Sequence, residues 1–156
     1  MKEASDSLMV DKTLIALKGA NVRQVLSSLA RAAALDIGVR ESYIAARLFD
    51  QEQKAPSGIG GGVAIPHLRL KKITRPYSLL ARLARPIAFN AVDDRPVDLA
   101  FVLLSPDADV ALHLQRLSRV SRLLRDPDLC ASLRNVGGPD GMAALMMGIP
   151  DVRHAA

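Results

Sequence analysis

The 156-residue chain has no tryptophan, two tyrosines, three phenylalanines and a single cysteine. One cysteine excludes an intramolecular disulfide framework and suits a reducing cytosol. Cys130 lies in an apolar, helix-like context, so it reads as a buried, inert thiol. With aromatics at 3% of the residues, little is available to stack on nucleobases. The formal charge of +5 and a pI near 9.8 permit contact with an acidic partner, phosphate or nucleic acid. The basic residues are spread along the chain, however, and no nucleic-acid partner is expected. No apolar run approaches the roughly 20 residues that span a bilayer. The N-terminus MKEASDSLMV carries acids where a signal peptide would not. A soluble, cytoplasmic protein without membrane insertion is expected. There is no internal repeat and no low-complexity linker, and at 49% hydrophobic the chain can bury the core of one domain.

What is present is a succession of punctuated periodic segments. Residues 1–11 are predicted to be a flexible, polar lead-in, 12–150 the domain, and 151–156 a tail. Thr13–Leu17 is predicted to form the first strand. Asn21 offers an N-cap with Gln24 three residues on, and Val22, Val25, Leu26, Leu29, Ala30 and Ala33 follow at helical spacing to about Leu35, before Gly38. A second helix is predicted over Glu41–Gln53, with Ile44, Ala45, Leu48 and Phe49 inward, ending at Ala55-Pro56-Ser57-Gly58. Short strands are expected through Ile65 and over Ser78–Leu83. Val97–Leu104 is too apolar to alternate, which suits a central strand covered on both faces. A long helix then runs from about Asp109 to Arg125, and Pro127 and Pro139 open two short ones, to Arg134 and Met147. This order implies a single α/β domain with helices on both faces of a mixed sheet of four to five strands.

The chemistry concentrates in the stretch GGGVAIPH, residues 60–67. The glycines lack the Lys-Ser/Thr pair of a phosphate loop, and Val63 breaks the dinucleotide spacing. They remain either a tight turn needing positive φ or a set of backbone N–H groups lining an anion site. His67 is expected at a strand end, on a backbone stiffened by Pro66, as a site residue or a structural one. His113 falls on the inward stripe Val110, His113, Leu117, Val120, Leu124, where an unpaired imidazole is costly. Its partner is either a backbone carbonyl or the imidazole of His67. Two histidines beside an anion-friendly turn suit phosphoryl transfer, one as nucleophile and the other stabilising the phosphoryl oxygens. A metal pair is less attractive, since no further ligand stands at a suggestive spacing, and no cofactor is implied. His154, in the tail, is read as a bystander. Arg116, Arg119, Arg122 and Arg125 recur every three residues and are read mainly as a solvated face.

The run Ser57–His67, with Pro86-Ile87-Ala88-Phe89, Pro96-Val97-Asp98-Leu99 and His113-Leu114, resembles the enzyme IIA domain of the fructose/mannitol branch of the bacterial phosphotransferase system, and within it the nitrogen-regulatory enzyme IIA proteins. The likeness covers roughly residues 10–147. It implies a three-layer α/β/α domain. It also implies that His67 accepts a phosphoryl group from the histidine of a small phosphocarrier protein, with His113 beside it. Binding to regulatory targets, such as potassium transport or sensor components, would then depend on the phosphorylation state. Ser57, Gly58 and Gly60 would help to bind phosphate. Three positions depart from the pattern. Gln51 stands where the family carries an arginine before Glu52, so Arg47, one turn earlier on the same face, is the expected substitute. Ser57 stands for a threonine, and Leu68 replaces a glycine, which could narrow access to the imidazole. The alternative is a binding module of the same fold with impaired transfer.

Overall fold

The computed structural model describes residues 9–148. His154 and the predicted tail, like the first eight residues, lie outside the described residues. Of the predicted lead-in, Met9 and Asp11 are in fact tied down. The Asp11 N–H donates to the Ser78 carbonyl (2.9 Å), and Ser78 donates its N–H to the Asp11 carboxylate (2.8 Å) and its hydroxyl to the Met9 carbonyl.

Strand β1 (Lys12–Leu17) leads to helix α1 (Val22–Ile37). Asn21 caps α1 by accepting from the Gln24 N–H, while Gln24 Oε1 reaches back to the N–H of Ala20, one residue earlier than a capping box requires. Gly38, at φ +72°, closes α1 with its N–H on the Ala34 carbonyl. Helix α2 (Glu41–Lys54) follows, then β2 (Gly58–Gly60), β3 (Val63–Ala64), β4 (His67–Leu70), β5 (Tyr77–Ile87) and β6 (Val97–Pro106), and finally α3 (Val110–Leu124), α4 (Pro127–Asn135) and α5 (Pro139–Met146). The two prolines stand at the first helical position of α4 and α5, where a missing N–H costs nothing.

The sheet runs β1-β5-β6-β3-β2, with β4 also on β6. β1 pairs parallel and β6 antiparallel with β5, and β3 and β4 both pair parallel with β6. They share one edge of it in succession, Ala64 opposite Ala100 and His67 opposite Leu103. Pro66, which has no N–H to give, marks the break, and its carbonyl accepts the Leu103 N–H at 3.0 Å. Six strands therefore occupy five positions.

Alternation along β6 sorts the core into two layers. Ala100, Val102 and Leu104 pack with α1 and α2 through Leu26, Leu29, Ile44 and Leu48, and Leu99, Phe101 and Leu103 pack with α3, α4 and α5 through Val120, Leu124, Leu133 and Met142. Cys130 is free and buried in the second layer. Val110, expected inward, is instead 54% exposed, because α3 begins there and its buried stripe starts at His113.

One sheet residue holds a helix end. Arg82 Nη1 on β5 lies 3.0, 3.2 and 2.8 Å from the carbonyls of Leu133, Arg134 and Val136, at the C-terminus of α4 where carbonyls lack intrahelical partners. Arg82→Met strands them, and a loss of about 1–3 kcal/mol in urea unfolding is expected. A change below about 0.5 kcal/mol would mean that water replaces the guanidinium without cost.

Candidate functional site

His67 opens β4; it does not end a strand, as expected from sequence. It still stands at a strand terminus, the one created by the Pro66 break. Along β4, Leu68 and Leu70 are buried against α1 and α2, so His67 and Arg69 face the α3 side. Leu68 therefore points away from the imidazole and does not narrow access to it.

The side chain of His113, in the first turn of α3, is buried. Its Nε2 lies 3.1 Å from His67 Nδ1, with ring centroids 5.3 Å apart and planes inclined by 42°. The partner of His113 is thus the second imidazole and no backbone carbonyl. Its other nitrogen, Nδ1, is 2.7 Å from the hydroxyl of Ser105, at the end of β6. Arg116, one turn further along α3, donates through Nη1 to Ser105 Oγ (3.0 Å) and through Nη2 to Asp109 Oδ2 (3.1 Å). A chain of polar contacts thus runs His67–His113–Ser105–Arg116–Asp109. It engages His67 through Nδ1 and leaves Nε2 as the remaining ring nitrogen.

Burial lowers the His67 pKa from its ordinary value. That of His113 is pushed down to about 4, first by burial and then by His67, Arg69 and Arg116. Both rings are therefore neutral at pH 7, and in the contact between them one nitrogen donates while the other accepts.

The other predicted residues are placed as follows. Ser57 gives its N–H (3.0 Å) and its hydroxyl (2.7 Å) to the carboxylate of Glu52, and a narrow cavity lined by Leu48, Gln51, Ser57, Pro66 and His67 adjoins the imidazole. Arg47 donates to Tyr43 Oη (3.1 Å) and to the Arg69 carbonyl (3.4 Å), so it steadies β4 two residues beyond His67. Gly58 is needed for close approach, since a Cβ there would stand 2.8 Å from that of Ala91. Gly60, Gly61 and Gly62 have φ of +98°, +67° and +81° and form the tip of the β2–β3 hairpin. Gly60 is opposite Val63, which is level with Leu99, whereas His67 is level with Leu103. Four residues of strand are roughly 13 Å. The Gly61 N–H is already donated to Asp93 (2.9 Å), whose carboxyl it holds below the usual range, and Arg134 clamps the Gly61 carbonyl (2.7 Å) to Asp98. The hairpin tip that carries Gly60 thus lies along the sheet from the imidazoles, and the N–H of its neighbour Gly61 is taken up by the exposed carboxylate of Asp93.

Sequence reasoning missed Arg69, Ser105 and Arg116. The signal was present in spacing, since Arg69 is two residues from His67 on a strand and Arg116 three from His113 on a helix. The register then sets Arg69 directly opposite Ser105.

The family model described as "Phosphoenolpyruvate-dependent sugar phosphotransferase system, EIIA 2" matches residues 8–147. A nitrogen regulatory protein of Bradyrhizobium diazoefficiens is 42% identical over 130 residues, covering 83% of this chain and 85% of the relative. One from Klebsiella oxytoca is 36% identical over 113 residues, 72% and 70% of the two chains. Among solved structures, the nitrogen regulatory protein IIA-Ntr of Neisseria meningitidis superposes with a TM-score of 0.83 at 23% identity, covering 92% of this chain and 99% of that one; this likeness concerns the fold. No helix among the described residues is long and apolar enough to cross a membrane.

Proposed function

The chain belongs to the EIIA 2 family of the phosphoenolpyruvate-dependent sugar phosphotransferase system, and from that premise we propose that it is a nitrogen-regulatory phosphoryl carrier which receives its phosphate on His67 Nε2. The donor is the phosphohistidine of a small phosphocarrier protein. The observation that carries the reading is the 3.1 Å contact between His67 Nδ1 and His113 Nε2. In the reactive arrangement His67 keeps its hydrogen on Nδ1 and gives it to His113, so the lone pair of Nε2 is free. That pair attacks phosphorus in line, the P–N bond of the donor breaks, and its electrons return to the donor imidazole. Phosphorylated His67 then bears the positive charge that the donor ring gave up, and its Nδ1–H is held by neutral His113. Little covalent work falls to the protein beyond placement and charge stabilisation. Arg69 is on the same strand face, its guanidinium held by the Asp107 carbonyl at 2.6 Å, and would lend positive charge to the phosphoryl oxygens. Arg47 supports it through the Arg69 carbonyl. The donor arrives activated, so no cofactor enters.

The relatives named as nitrogen regulatory proteins support a regulatory output. Target proteins, potassium transport or sensor components among the candidates, would distinguish the two states by the charge at His67. Incubation with the general phosphotransferase enzymes and phosphoenolpyruvate should add one acid-labile phosphate, mapped to His67 by mass spectrometry. Wild-type protein that gains no mass would overturn the carrier reading and leave a binding module with the same fold.

A further inference from the structure

The buried polar chain behind the histidine pair has no role in the step above, yet it is built with care. Ser105 is fully buried, and its hydroxyl touches His113 Nδ1 on one side and Arg116 Nη1 on the other. A hydroxyl alone serves a neutral imidazole and an imidazolium equally well, because it can accept as well as donate. The guanidinium behind it removes that indifference. We propose that Arg116, acting through Ser105, is a positioning residue for the transfer: it keeps the His113 ring uncharged and directed with Nε2 at His67. This rests on the carrier reading.

The consequence of failure is specific. A protonated His113 carries hydrogens on both nitrogens, so its Nε2–H claims the lone pair of His67 Nδ1. The hydrogen of neutral His67 is then forced onto Nε2, and the nucleophilic pair is lost. A cation one hydroxyl away opposes that protonation by Coulomb repulsion in a poorly solvated site. The groups facing His113 are consistent with this on every side: His67 and Arg69 from β4, Ser105 from β6, and Arg116 from α3 itself. The nearby carboxylates are each held by an arginine, Asp107 by Arg69 (3.4 Å) and Asp109 by Arg116 (3.1 Å). Burial, His67, Arg69 and then Arg116 all push the His113 pKa down. Arg116 also fixes geometry, because its planar fork spans Ser105 and Asp109 together, which a lysine ammonium cannot do.

The test is the titration of the His113 ring by NMR in unphosphorylated protein, with the transfer rate followed against pH. Arg116→Met should raise the His113 midpoint by about one pH unit and move the acid limb of the transfer profile upward with it. Arg116→Lys should keep the midpoint near its wild-type position while the rate falls, because charge is retained and the fork is lost. Asp109→Asn leaves the arginine and strips its countercharge, so the midpoint should fall, which keeps the test open if Arg116→Met does not fold. A folded Arg116→Met protein with an unmoved midpoint overturns the role of Arg116. Wild type that accepts no phosphate overturns only the carrier reading, since the titration needs no donor.

Discussion

His67→Ala should take up no phosphoryl group, and His113→Ala should take it up about 10²-fold more slowly than wild type, with both proteins folded. The asymmetry follows from what each ring does. Removing His67 removes the nucleophile, and among the described residues no other imidazole can take its place, because His113 is buried behind it with Nδ1 on Ser105. Removing His113 leaves the nucleophile but frees its tautomer. His67 Nδ1 then faces water, the hydrogen distributes between both nitrogens, and the charge that develops on phosphorylation loses its fixed acceptor. Loss of one preorganised hydrogen-bonding group of this kind costs about 10²–10³-fold. His113→Gln, whose amide oxygen can accept from Nδ1–H, should recover part of the rate. Quenched-flow transfer from the phosphorylated donor measures all three, and a His113→Ala rate within twofold of wild type would remove His113 from the mechanism. The wild-type profile carries a sign as well. Burial lowers the His67 pKa, so the neutral, reactive ring persists below the ordinary histidine value, and transfer should fall only at more acid pH.

The histidine pair could be anticipated because two strong local signals converge on it. Pro66 pins the backbone before His67, and the three-and-four spacing of α3 turns His113 toward the core, where it must find a partner. The network behind them could not. Arg116, Arg119, Arg122 and Arg125 look alike in sequence, and only Asp109 and the end of β6 single out Arg116 to turn inward. The same holds for the fold. Capping residues, helix-opening prolines and the apolar run of β6 each announce their element locally. The strand Gly58–Gly60 carries no such pattern, since it is two-thirds glycine and is a strand chiefly by virtue of what it pairs with, and the alternation of His67–Leu70 is only four residues long. The glycine turn shows the limit within one motif. Positive φ was implied by residue type, whereas the use of its N–H by Asp93, 32 residues away, depends on tertiary structure.

Phe101→Ala should cost about 3–5 kcal/mol of stability, the largest loss expected from a single substitution outside the site. Phe101 is fully buried at the middle of β6, paired with Leu80 of β5 and packed into the layer formed with α3, α4 and α5. The central strand is clamped by β5 on one edge and by β3 and β4 on the other, so the backbone cannot collapse into the cavity. Domains of this size have about 5–15 kcal/mol in total, so the variant should keep a folded state with a lowered melting temperature and is best compared well below it. There its transfer rate should be close to wild type. The pair is held by the far end of β6, where Leu103 faces His67 and Ser105 faces Arg69, beyond the void. Denaturant unfolding measures the first claim and transfer per folded molecule the second. A loss below about 1.5 kcal/mol would mean that the helical layer settles onto the sheet, and the movement of α3 would then appear as a slower transfer through His113.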